Sequence, residues 1–535
     1  MKIDLKIKNY RCFSDEKPAV ISIEDGFTAL VGPNNAGKSS VLRFLFEFRS
    51  VFNFLKNVQD YNSAIAGVSR GFGPLPPDPT ELFYNGNGRP IEIDMQIDGV
   101  EWVNLPPPYK MSGIGFTITI PRGASIQSTT RLKDPRKLLT VPSKQVKIID
   151  DVLTVVLEDH KYQPQLDLKP VFEAFDILSR TIYIGAFRNA LNIGEHQSYF
   201  DLQVGQAFMQ AWHNYKAGPL NAQSEAARKV EKEIARLLGV KDIQINTSPK
   251  GQAIKLLIDD RSLPLDAVGS GVSQMILTLA NAAIKKPSFV LLDEPELNLH
   301  PSLQLDFLTS LASYATNGVI FATHSIGLAR SSADTIYSLQ RSDGGPSEIR
   351  LFDELSNLPE FMGELGYSGY RDLGGAKILL VEGTTDVRSI QQFLRKLRKD
   401  RNIILVPLGG GSLINAESAH ELEELKRLSP DVAVIIDSER NAEGDPLDPP
   451  RQAFVSNCEK FGFTTMVLKR RAIENYFTDR AVKASLGPSY QALTEYQERR
   501  SLPRPWAKSK NWRVAHEMSP DELKGTDLGL FLESL

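Results

Sequence analysis

The chain has 535 residues, of which 41% are hydrophobic and 24% are charged, and its formal net charge at pH 7 is −3. This length predicts at least two domains, because single hydrophobic cores rarely grow beyond about 250–300 residues. The composition is typical of a globular protein, and its charge excludes a global basic field of the kind that attracts nucleic acid. A local basic patch stays compatible with these values.

The sequence also bears on the cellular compartment. The first residues carry charges and no apolar signal region, and no apolar run approaches the roughly 18–20 residues of a membrane helix. The two cysteines, Cys12 and Cys458, fall in different predicted domains, which argues against a structural disulfide and against a four-cysteine zinc site. We therefore expect a cytoplasmic protein with no membrane segment.

The pattern of the first 370 residues predicts one domain whose two halves are separated by an inserted segment. Its opening strands end in the apolar run 27–31, which enters a glycine-rich loop and then a helix. Residues 71–125 are rich in Gly and Pro between short strands, which is typical of a meander with long loops. The pattern at 146–245 is mostly helical. We predict a domain made of 1–145 and 246–370, with a helical insertion between them that serves dimerisation.

A second domain is predicted at 375–535. Apolar runs at 377–381, 402–406 and 432–436 alternate with helical patterns, as in a buried parallel sheet. Glycine and proline residues between 340 and 375 mark the boundary. The predicted fold class is therefore α/β in both domains.

Residues 32–39 read G-P-N-N-A-G-K-S, a complete phosphate-binding loop between a predicted strand and a predicted helix. The backbone N–H groups of such a loop and the N-terminus of the following helix face the phosphates. Lys38 is predicted to reach the outer phosphates, and Ser39 is predicted to be a ligand of Mg²⁺. The residues assigned to nucleotide binding in this loop are Asn34, Gly37, Lys38, Ser39 and Ser40. The motif predicts ATP with Mg²⁺ as its cofactors.

Acidic and histidine motifs follow the loop in chain order. An apolar strand ends in Asp293, which is predicted to bind nucleotide-associated Mg²⁺, and in Glu294, which is predicted to polarise the attacking water. His324 follows the next apolar strand, where ABC-type ATPases place a switch histidine. His300 is predicted to be a residue at the start of a helix. These positions predict catalysis of ATP hydrolysis by Glu294 and His324.

A signature sequence, G-S-G-V-S-Q at 269–274, lies just before the acidic strand. Ser270 and Gly271 are predicted to bind the γ-phosphate held by the phosphate-binding loop of another subunit. The full set of motifs is that of an ABC-type ATPase, which predicts a homo-oligomer that pairs through its ATPase domains.

Acidic residues also end the predicted strands of the second domain. Glu382 ends the first strand, and Asp386 opens the helix that follows it. Asp437 and Glu439 end a later strand, where period-two geometry directs both side chains to one side. The carboxyl ends of parallel strands lie together, so these carboxylates are expected to converge on Mg²⁺ or Mn²⁺, which prefer oxygen ligands. Two such ions about 3.5–4 Å apart would suit hydrolysis of a phosphodiester.

Several segments resemble known families. Residues 8–13 (K-N-Y-R-C-F), 293–301 (D-E-P-E-L-N-L-H-P) and 323–325 (T-H-S) resemble the RecF/SMC-like ATPases. Residues 380–386 (L-V-E-G-T-T-D) and 434–439 (V-I-I-D-S-E) resemble the motifs of a TOPRIM domain. Together they resemble the OLD (overcoming lysogenization defect) family, in which an ATPase is joined to a C-terminal TOPRIM nuclease domain. The Gabija nuclease subunit and retron-associated OLD-type effectors are similar proteins.

The resemblance implies further site residues. Residues 468–477 (L-K-R-R-A-I-E-N-Y-F) also resemble TOPRIM nucleases of this group, which makes Glu474 a further metal or supporting carboxylate. Lys508, Lys510 and Arg513 lie where related enzymes place a transition-state lysine, and Lys510 is the first choice among them. Glu439 departs from the usual Asp, which leaves the second metal position open.

The resemblance implies an ATP-regulated endonuclease that uses Mg²⁺ or Mn²⁺ to cleave DNA in anti-phage defence. It also implies a dimer or tetramer and a second defence-system component as a partner. An alternative stays open because of the Asp-x-Glu variant: a non-catalytic RecF/SMC-like ATP switch that binds DNA or a partner, with a degenerate TOPRIM scaffold. The joint presence of Glu382, Gly383, Asp386 and Asp437 argues against that alternative.

Overall fold

The computed structural model describes most of the chain. The described residues are 1–65, 70–71, 78–105, 112–122, 127–133, 146–149, 151–155, 163–186, 198–247, 254–341, 345–352, 377–400, 403–408, 422, 426 and 431–535. They form two compact units. Unit 1 comprises Met1–Asn298, Ser310–His324 and Tyr337–Leu351, and unit 2 comprises Leu299–Thr309, Ser325–Ile336 and Phe352–Leu535. The boundary predicted between 370 and 375 lies outside the described residues.

The elements of the first 351 residues are as follows. The strands are β1 (Ile3–Lys8), β2 (Ala19–Ile23), β3 (Gly26–Val31), β4 (Arg70–Gly71), β5 (Ile91–Val103), β6 (Ser112–Ile120), β7 (Gln127–Lys133), β8 (Val146–Ile149), β9 (Val152–Val155), β10 (Gln165–Asp167), β11 (Ile182–Ile184), β12 (Ser198–Tyr199), β13 (Leu202–Gln203), β14 (Ile243–Thr247), β15 (Ile254–Ile258), β16 (Arg261–Pro264), β17 (Phe289–Asp293), β18 (Gly318–Thr323), β19 (Thr335–Arg341) and β20 (Ser347–Leu351). The helices are α1 (Lys38–Glu47), α2 (Arg49–Leu55), α3 (Val58–Ile65), α4 (Lys169–Ser179), α5 (Gly205–Ala217), α6 (Asn221–Leu238), α7 (Ser270–Lys285), α8 (Pro301–Ser313) and α9 (Ile326–Ser332).

One sheet of unit 1 has the strand order β11-β17-β18-β3-β19-β20. Within it β11, β17, β18 and β3 pair in parallel. Every residue of β3, β17 and β18 is buried, which agrees with their continuous apolar sequences. The carboxyl ends of these neighbouring strands place the phosphate-binding loop, the acidic motif and the switch histidine at one edge.

A second sheet of unit 1 is antiparallel and runs β4-β7-β6-β5-β10-β9-β8, with β1 pairing with both β5 and β2. Burial alternates along β5, where Ile91, Ile93, Met95 and Ile97 face the core. This alternation is the period-two pattern of a sheet with one covered face. The predicted meander is thus part of one sheet with the N-terminal strands.

The prediction of a mostly helical stretch from 146 is wrong for its first part. Residues 146–167 contain β8, β9 and β10, which join the antiparallel sheet through β5. Their short runs of β-branched residues, such as V-K-I-I and V-L-T-V, favour strands because branched side chains pack well on a pleated surface. The helices α4, α5 and α6 follow, and α6 ends at Gly239 in the left-handed conformation (φ 74°).

Unit 2 contains a parallel sheet with its own helices. The strands are β21 (Lys377–Val381), β22 (Ile403–Pro407), β23 (Val432–Ile436) and β24 (Thr464–Val467), in the order β22-β21-β23-β24. The helices are α10 (Thr384–Lys396), α11 (Pro449–Lys460), α12 (Asp479–Leu486), α13 (Asn511–Glu517), α14 (Pro520–Leu523) and α15 (Asp527–Ser534). Alternate residues of β21 enter two different core clusters, so the sheet is buried on both faces. Unit 2 therefore confirms the α/β fold predicted for this part of the chain.

Unit 2 also includes two segments that the sequence analysis assigned to the first domain, Leu299–Thr309 and Ser325–Ile336. Helix α10 holds them with buried polar contacts. The fully buried Arg388 forms an ion pair with Asp334 and donates to the carbonyl of Ser332 at 2.6 Å. Arg395 pairs with Asp306 at 2.8 Å. These contacts tie the two segments to the helix that begins beside Asp386.

No helix of the described residues is long and apolar enough to cross a membrane. Cys12 and Cys458 are both free thiols. Burial raises the pKa of the Cys458 thiol to about 12, so this cysteine is a core residue.

Candidate functional site

The phosphate-binding loop of unit 1 joins β3 to α1, as the sequence predicted. Two of its glycines are required by the geometry. Gly37 has a φ of 104°, and a Cβ there would lie 2.7 Å from the sulfur of Cys12. Gly32 has a φ of 151°, and a Cβ there would lie 2.2 Å from the carbonyl oxygen of Leu339. Larger side chains at these positions would therefore displace the loop.

Lys38 is the first residue of α1, and its side chain lies back across the loop. Its ammonium donates to the carbonyl oxygens of Gly32 at 2.7 Å and Pro33 at 3.0 Å, and it lies 3.3 Å from Nε2 of His324. Burial lowers the pKa of Lys38, although Asp293 and other nearby carboxylates act in the opposite direction. The ammonium of Lys38 therefore lies inside the loop. Phosphate oxygens of a bound nucleotide would take the place of the two carbonyl oxygens as its acceptors.

Asp293 ends β17 and is buried. The hydroxyl of Ser39 hydrogen-bonds to its carboxylate, and the hydroxyl of Tyr183 donates to Oδ2 at 3.2 Å. Burial raises the pKa of Asp293, against the effect of these hydrogen bonds. Ser39 and Asp293 are thus adjacent, as a shared Mg²⁺ ion requires. Tyr183, in the neighbouring strand β11, was not predicted from the sequence because no local motif marks it.

The predicted catalytic pair is close together in the structure. Nε2 of His324 lies 3.5 Å from Oε1 of Glu294. The backbone N–H of His324 donates to Oε1 of Glu296 at 2.8 Å, which fixes the residue after β18. Glu294 has a φ of 52°, an uncommon backbone conformation for a residue with a side chain. The two motifs therefore meet at the edge of the sheet beside Lys38.

The remaining predicted nucleotide residues lie on the loop, on α1 and on α7. Ser270 is the first residue of α7 and is exposed, and Gly271 follows it in the first turn. Asn34 is exposed in the loop, and Ser40 lies in the first turn of α1. His300 immediately precedes α8 and accepts a hydrogen bond from the N–H of Leu303, as a residue at a helix start does.

In unit 2 the predicted carboxylates lie at the carboxyl edge of the parallel sheet. Glu382 follows β21, and Asp437 follows β23 and donates its backbone N–H to Oε1 of Glu382 at 3.0 Å. Asp386 lies in the first turn of α10, and its Oδ2 accepts the N–H of Gly383 at 3.0 Å. The structure thus brings these three predicted residues together.

Glu474 lies in a 3-10 helix, Ile473–Tyr476, and joins the same group. The N–H of Ile473 donates to Oδ1 of Asp437 at 3.2 Å, which links this helix to β23. Glu474 raises the pKa of both Asp437 and Asp386 through charge repulsion. Four carboxylates therefore share one electrostatic environment.

Burial is the largest cause of the raised pKa values in this cluster. It raises the pKa of Asp386 to about 7 and raises those of Glu382 and Asp437, and mutual repulsion adds to the effect. Lys508 acts in the opposite direction on Asp386 and Asp437. Such a concentration of buried negative charge is costly unless a cation compensates it.

Two buried oxygens of the cluster bear on whether its residues could hold a metal ion. Oδ1 of Asp386 and Oε2 of Glu474 are buried and have no hydrogen-bond partner in the described part of the chain. The available donors are all carboxylate oxygens, which Mg²⁺ and Mn²⁺ prefer. Within the described residues no group of three or more acidic, histidine or cysteine side chains already has metal-binding geometry. The chemistry of the donor set therefore fits a divalent ion, although the described side chains do not surround one in their present arrangement.

Glu439 differs from its prediction. The strand ends at Ile436, so the period-two argument does not extend to Glu439, which has a φ of 51°. Its carboxylate pairs with Arg471 at 2.5 Å, and its N–H donates to the carbonyl of Arg471. The acid in this position is thus bound to an arginine at the edge of the cluster.

Two cations contact the cluster: Arg451, which the sequence did not single out, and Lys508, which the sequence offered as a candidate behind Lys510. Nη2 of Arg451, in α11, lies 3.5 Å from Oε2 of Glu382, and its Nε donates to the carbonyl of Asp437 at 3.1 Å. Nζ of Lys508 lies 3.6 Å from Oε1 of Glu474. Burial lowers the pKa of Lys508, but the carboxylates outweigh it and the net shift is upward. Lys510, the predicted lysine, ends the same short helix and does not line the cavity beside Glu474.

Comparison with known proteins bears on the nucleotide site. Residues 1–97 and 187–329 match the family AAA_15, described as an AAA ATPase domain. The chain contains a P-loop ATPase domain. The match covers the phosphate-binding loop, the signature, the acidic motif and the switch histidine. No curated protein sequence matches the chain.

Solved structures of SMC heads are similar to the chain at low sequence identity. One is an SMC head bound to the C-winged helix domain of ScpA, with 14% identity over 65% of this chain and 97% of that chain and a TM-score of 0.38. Another is the SMC head domain from Thermotoga maritima, with 16% identity over 66% and 100% and a TM-score of 0.33. A third is an Smc head domain with an extended coiled coil bound to the C-terminal domain of ScpA derived from Pyrococcus furiosus, with 12% identity over 69% and 99% and a TM-score of 0.36.

The family match of the ATPase domain ends at residue 329. The family match therefore does not reach the acidic cluster of unit 2. The cluster is identified as a candidate site by its geometry and by the motifs at Glu382, Asp386 and Asp437. Its position at the carboxyl edge of a parallel sheet is where α/β folds commonly bind ligands.

Proposed function

We propose that the protein is an ATP-regulated, divalent-metal-dependent endonuclease that cleaves DNA, with its hydrolytic site in unit 2. The observation that carries this proposal is the cluster of Glu382, Asp386, Asp437 and Glu474, with Lys508 facing it. Structural carboxylates are seldom buried together at this density, whereas phosphodiester hydrolysis needs them to hold cations.

The residues of the cluster take separate roles in this mechanism. Glu382, Asp386, Asp437 and Glu474 hold the divalent ion. When bound, Mg²⁺ or Mn²⁺ supplies the charge that activates a water and stabilises the leaving oxygen. Arg451 fixes the orientation of Glu382 through its guanidinium. Lys508 exchanges its contact with Glu474 for a phosphate oxygen and stabilises the negative charge that develops there.

The ATPase domain provides the regulation. Lys38 and Ser39 bind the phosphates and Mg²⁺ with Asp293, and Glu294 and His324 act on the attacking water. Ser270 is exposed at the N-terminus of α7, a position suited to the γ-phosphate on the loop of a second copy. ATP thereby pairs two copies as a dimer or within a tetramer. An anti-phage role and a second defence-system component are proposed from the OLD resemblance.

One contact favours a second candidate, in which unit 2 is a scaffold and the protein is an ATP switch that binds DNA or a partner. Glu439 is paired with Arg471, so the third acid of the TOPRIM-like motif is already neutralised. The buried oxygens of Asp386 and Glu474 weigh against this candidate, because a scaffold would gain nothing from leaving them without partners.

A cleavage assay separates the two candidates. Supercoiled and linear DNA are incubated with Mg²⁺ or Mn²⁺, with and without ATP. Wild-type protein is compared with Glu382→Ala and with Glu459→Ala, an exposed glutamate of α11 that serves as the matched control. Cleavage is expected from wild type and Glu459→Ala and is expected to be lost in Glu382→Ala.

The same assay tests the role of ATP. Lys38→Ala removes the phosphate-binding ammonium, and Lys6→Ala, an exposed lysine of β1, is its control. A change in the ATP dependence of cleavage confined to Lys38→Ala supports regulation by the ATPase domain. ATP hydrolysis without any cleavage that depends on Glu382 would favour the switch.

A further inference from the structure

A cavity of about 300 Å³ opens beside the acidic cluster, within unit 2. Three carboxylates line it, those of Glu439, Glu474 and Glu498, together with the cations Arg471, Arg499, Arg500 and Lys508. We call the three arginines the basic rim. The proposed cleavage uses only the acidic cluster and Lys508, and it leaves the basic rim without a role.

The cations of the cavity are not all engaged. Arg471 pairs with Glu439, and Arg499 and Lys508 lie 4.0 and 3.6 Å from Oε1 of Glu474. Arg500 is exposed and forms no ion pair within the described part of the chain. Arg500 is therefore available to an incoming anion at no cost in internal contacts.

The lining identifies the chemistry of the ligand. No aromatic side chain lines the cavity among the described residues, and its apolar contribution is limited to Ala472. The amides of Asn475 and Gln497 are occupied: Asn475 donates to the carbonyls of Thr494 and Gln497, and the side chain of Gln497 bonds to Thr494 and Ser501. Nucleobases are held by stacking and by free amides, whereas phosphates are held by Arg and Lys. The cavity is therefore suited to a phosphate.

The rim is also held in place before any ligand arrives. Arg499 and Arg500 begin a 3-10 helix, Arg499–Ser501, and Nη1 of Arg499 donates to the carbonyl of Trp506. Trp506 is buried, and its indole N–H donates to the side chain of Asn511 at 2.8 Å. The segment that carries Lys508 is thus tied to the segment that carries Arg500. The backbone that carries both cations is therefore fixed before binding, so binding has only their side chains to order.

We propose that this cavity binds a non-scissile phosphate of the substrate strand through Arg500, while Lys508 contacts the scissile phosphate. The proposal rests on the nuclease function proposed above and defines its substrate. A volume of about 300 Å³ lies at the lower end of ligand pockets, so the cavity admits one sugar–phosphate unit of a single strand. Recognition through phosphate alone makes the site indifferent to base sequence.

The test measures binding separately from cleavage. A fluorescein-labelled single-stranded oligothymidylate is titrated with full-length protein in EDTA, and anisotropy is recorded over a series of NaCl concentrations. Arg500→Gln is compared with wild type and with the control variant Arg504→Gln. Arg504 is an exposed arginine that follows Arg500 closely in the chain and does not line the cavity. Loss of one phosphate contact on a single strand reduces the slope of log K against log[NaCl] by about 0.7. That reduction is expected for Arg500→Gln alone, and to the same extent on a mixed-sequence oligonucleotide.

The outcomes separate this proposal from the nuclease proposal. An unchanged affinity and salt slope in Arg500→Gln would overturn the phosphate site, whatever the cleavage assay shows. A reduced slope with no Glu382-dependent cleavage by any variant would keep the phosphate site and overturn the nuclease. A base preference that Arg500→Gln abolishes would overturn recognition through phosphate.

Discussion

Nζ of Lys508 lies 3.6 Å from Oε1 of Glu474, and this ion pair joins the only lysine that lines the described cavity to the acidic cluster of unit 2. Oε2 of Glu474 is buried and has no hydrogen-bond partner in the described part of the chain. In the proposed mechanism this oxygen binds the divalent ion, and Lys508 leaves Glu474 for the phosphate.

Lys508→Ala is expected to lower the rate of DNA cleavage roughly 10²–10³-fold, the usual loss when one stabilising donor is removed from a transition state. Lys510→Ala is expected to cleave at the wild-type rate, because Lys510 does not line the cavity. Single-turnover cleavage at saturating Mg²⁺ measures both variants. Lys508→Arg should recover part of the rate, since it keeps the charge. A loss confined to Lys510→Ala would return the role to the lysine that the sequence favoured.

Tyr183→Phe is expected to weaken Mg²⁺ binding at the ATPase site. The hydroxyl of Tyr183 donates to Asp293, and loss of a partner that orients a metal ligand commonly costs about 10–100-fold in metal affinity. ATP hydrolysis measured against Mg²⁺ concentration should show a higher half-saturation value with a near-normal maximum rate. Tyr199→Phe alters an exposed tyrosine and serves as the control. A lower maximum rate at an unchanged Mg²⁺ requirement would contradict this positioning role.

The sequence predicted the parts of the sites that are continuous in the chain. Residues 32–37 form one loop that continues into α1 at Lys38, and Glu294 directly follows Asp293 at the end of β17, so each motif can be read from residue types and spacing alone. Tyr183 and Arg451 reach their sites from distant segments, and only the folded chain shows their partners. The resemblance offered Lys508 with Lys510 and Arg513, and only the contact with Glu474 distinguishes Lys508 from the other two. Single residues of common types carry no signal without that context.

The predicted α/β fold class was confirmed, but particular elements were missed for similar reasons. The apolar strands of both parallel sheets were visible because they are buried on both faces. The short strands at 146–167 were missed because three or four residues per strand display too little of a period to separate it from a helix. The transfer of Ser325–Ile336 to unit 2 depends on Arg388 and Asp334, whose pairing the sequence does not reveal.

Arg388→Ala is expected to destabilise unit 2 by roughly 3 kcal/mol, because it leaves Asp334 without its buried partner. Thermal unfolding should show a fall of about 6–12 °C in Tm for a loss of this size in a domain of 150–250 residues. Arg398→Ala, an exposed arginine just after the same helix, should leave the Tm near the wild-type value. Equal melting of the two variants would mean that the buried pair does not hold Ser325–Ile336 in unit 2.

The ionised carboxylate of Glu522 is expected to stabilise unit 2, and this contribution is expected to disappear in acid. Hydrogen bonds from Arg480, the N–H of Ser519 and Thr478 lower the pKa of Glu522 to about 2, against an effect of burial in the opposite direction. A lowered folded-state pKa contributes stability that is complete above the ordinary value of 4.5 and is lost as the pH falls from 4.5 toward 2.

Because Arg480 is largely exposed and solvent screens the pair, the contribution should be about 1 kcal/mol. Glu522→Gln should therefore unfold at lower urea concentration than wild type at pH 7 and approach it as the pH falls toward 2. Glu533→Gln, an exposed glutamate of α15, should follow wild type at every pH. If the urea midpoints of Glu522→Gln and wild type differed by the same amount from pH 7 to pH 2, the contribution of Glu522 to stability would be steric. Only a contribution from the ionised carboxylate depends on pH.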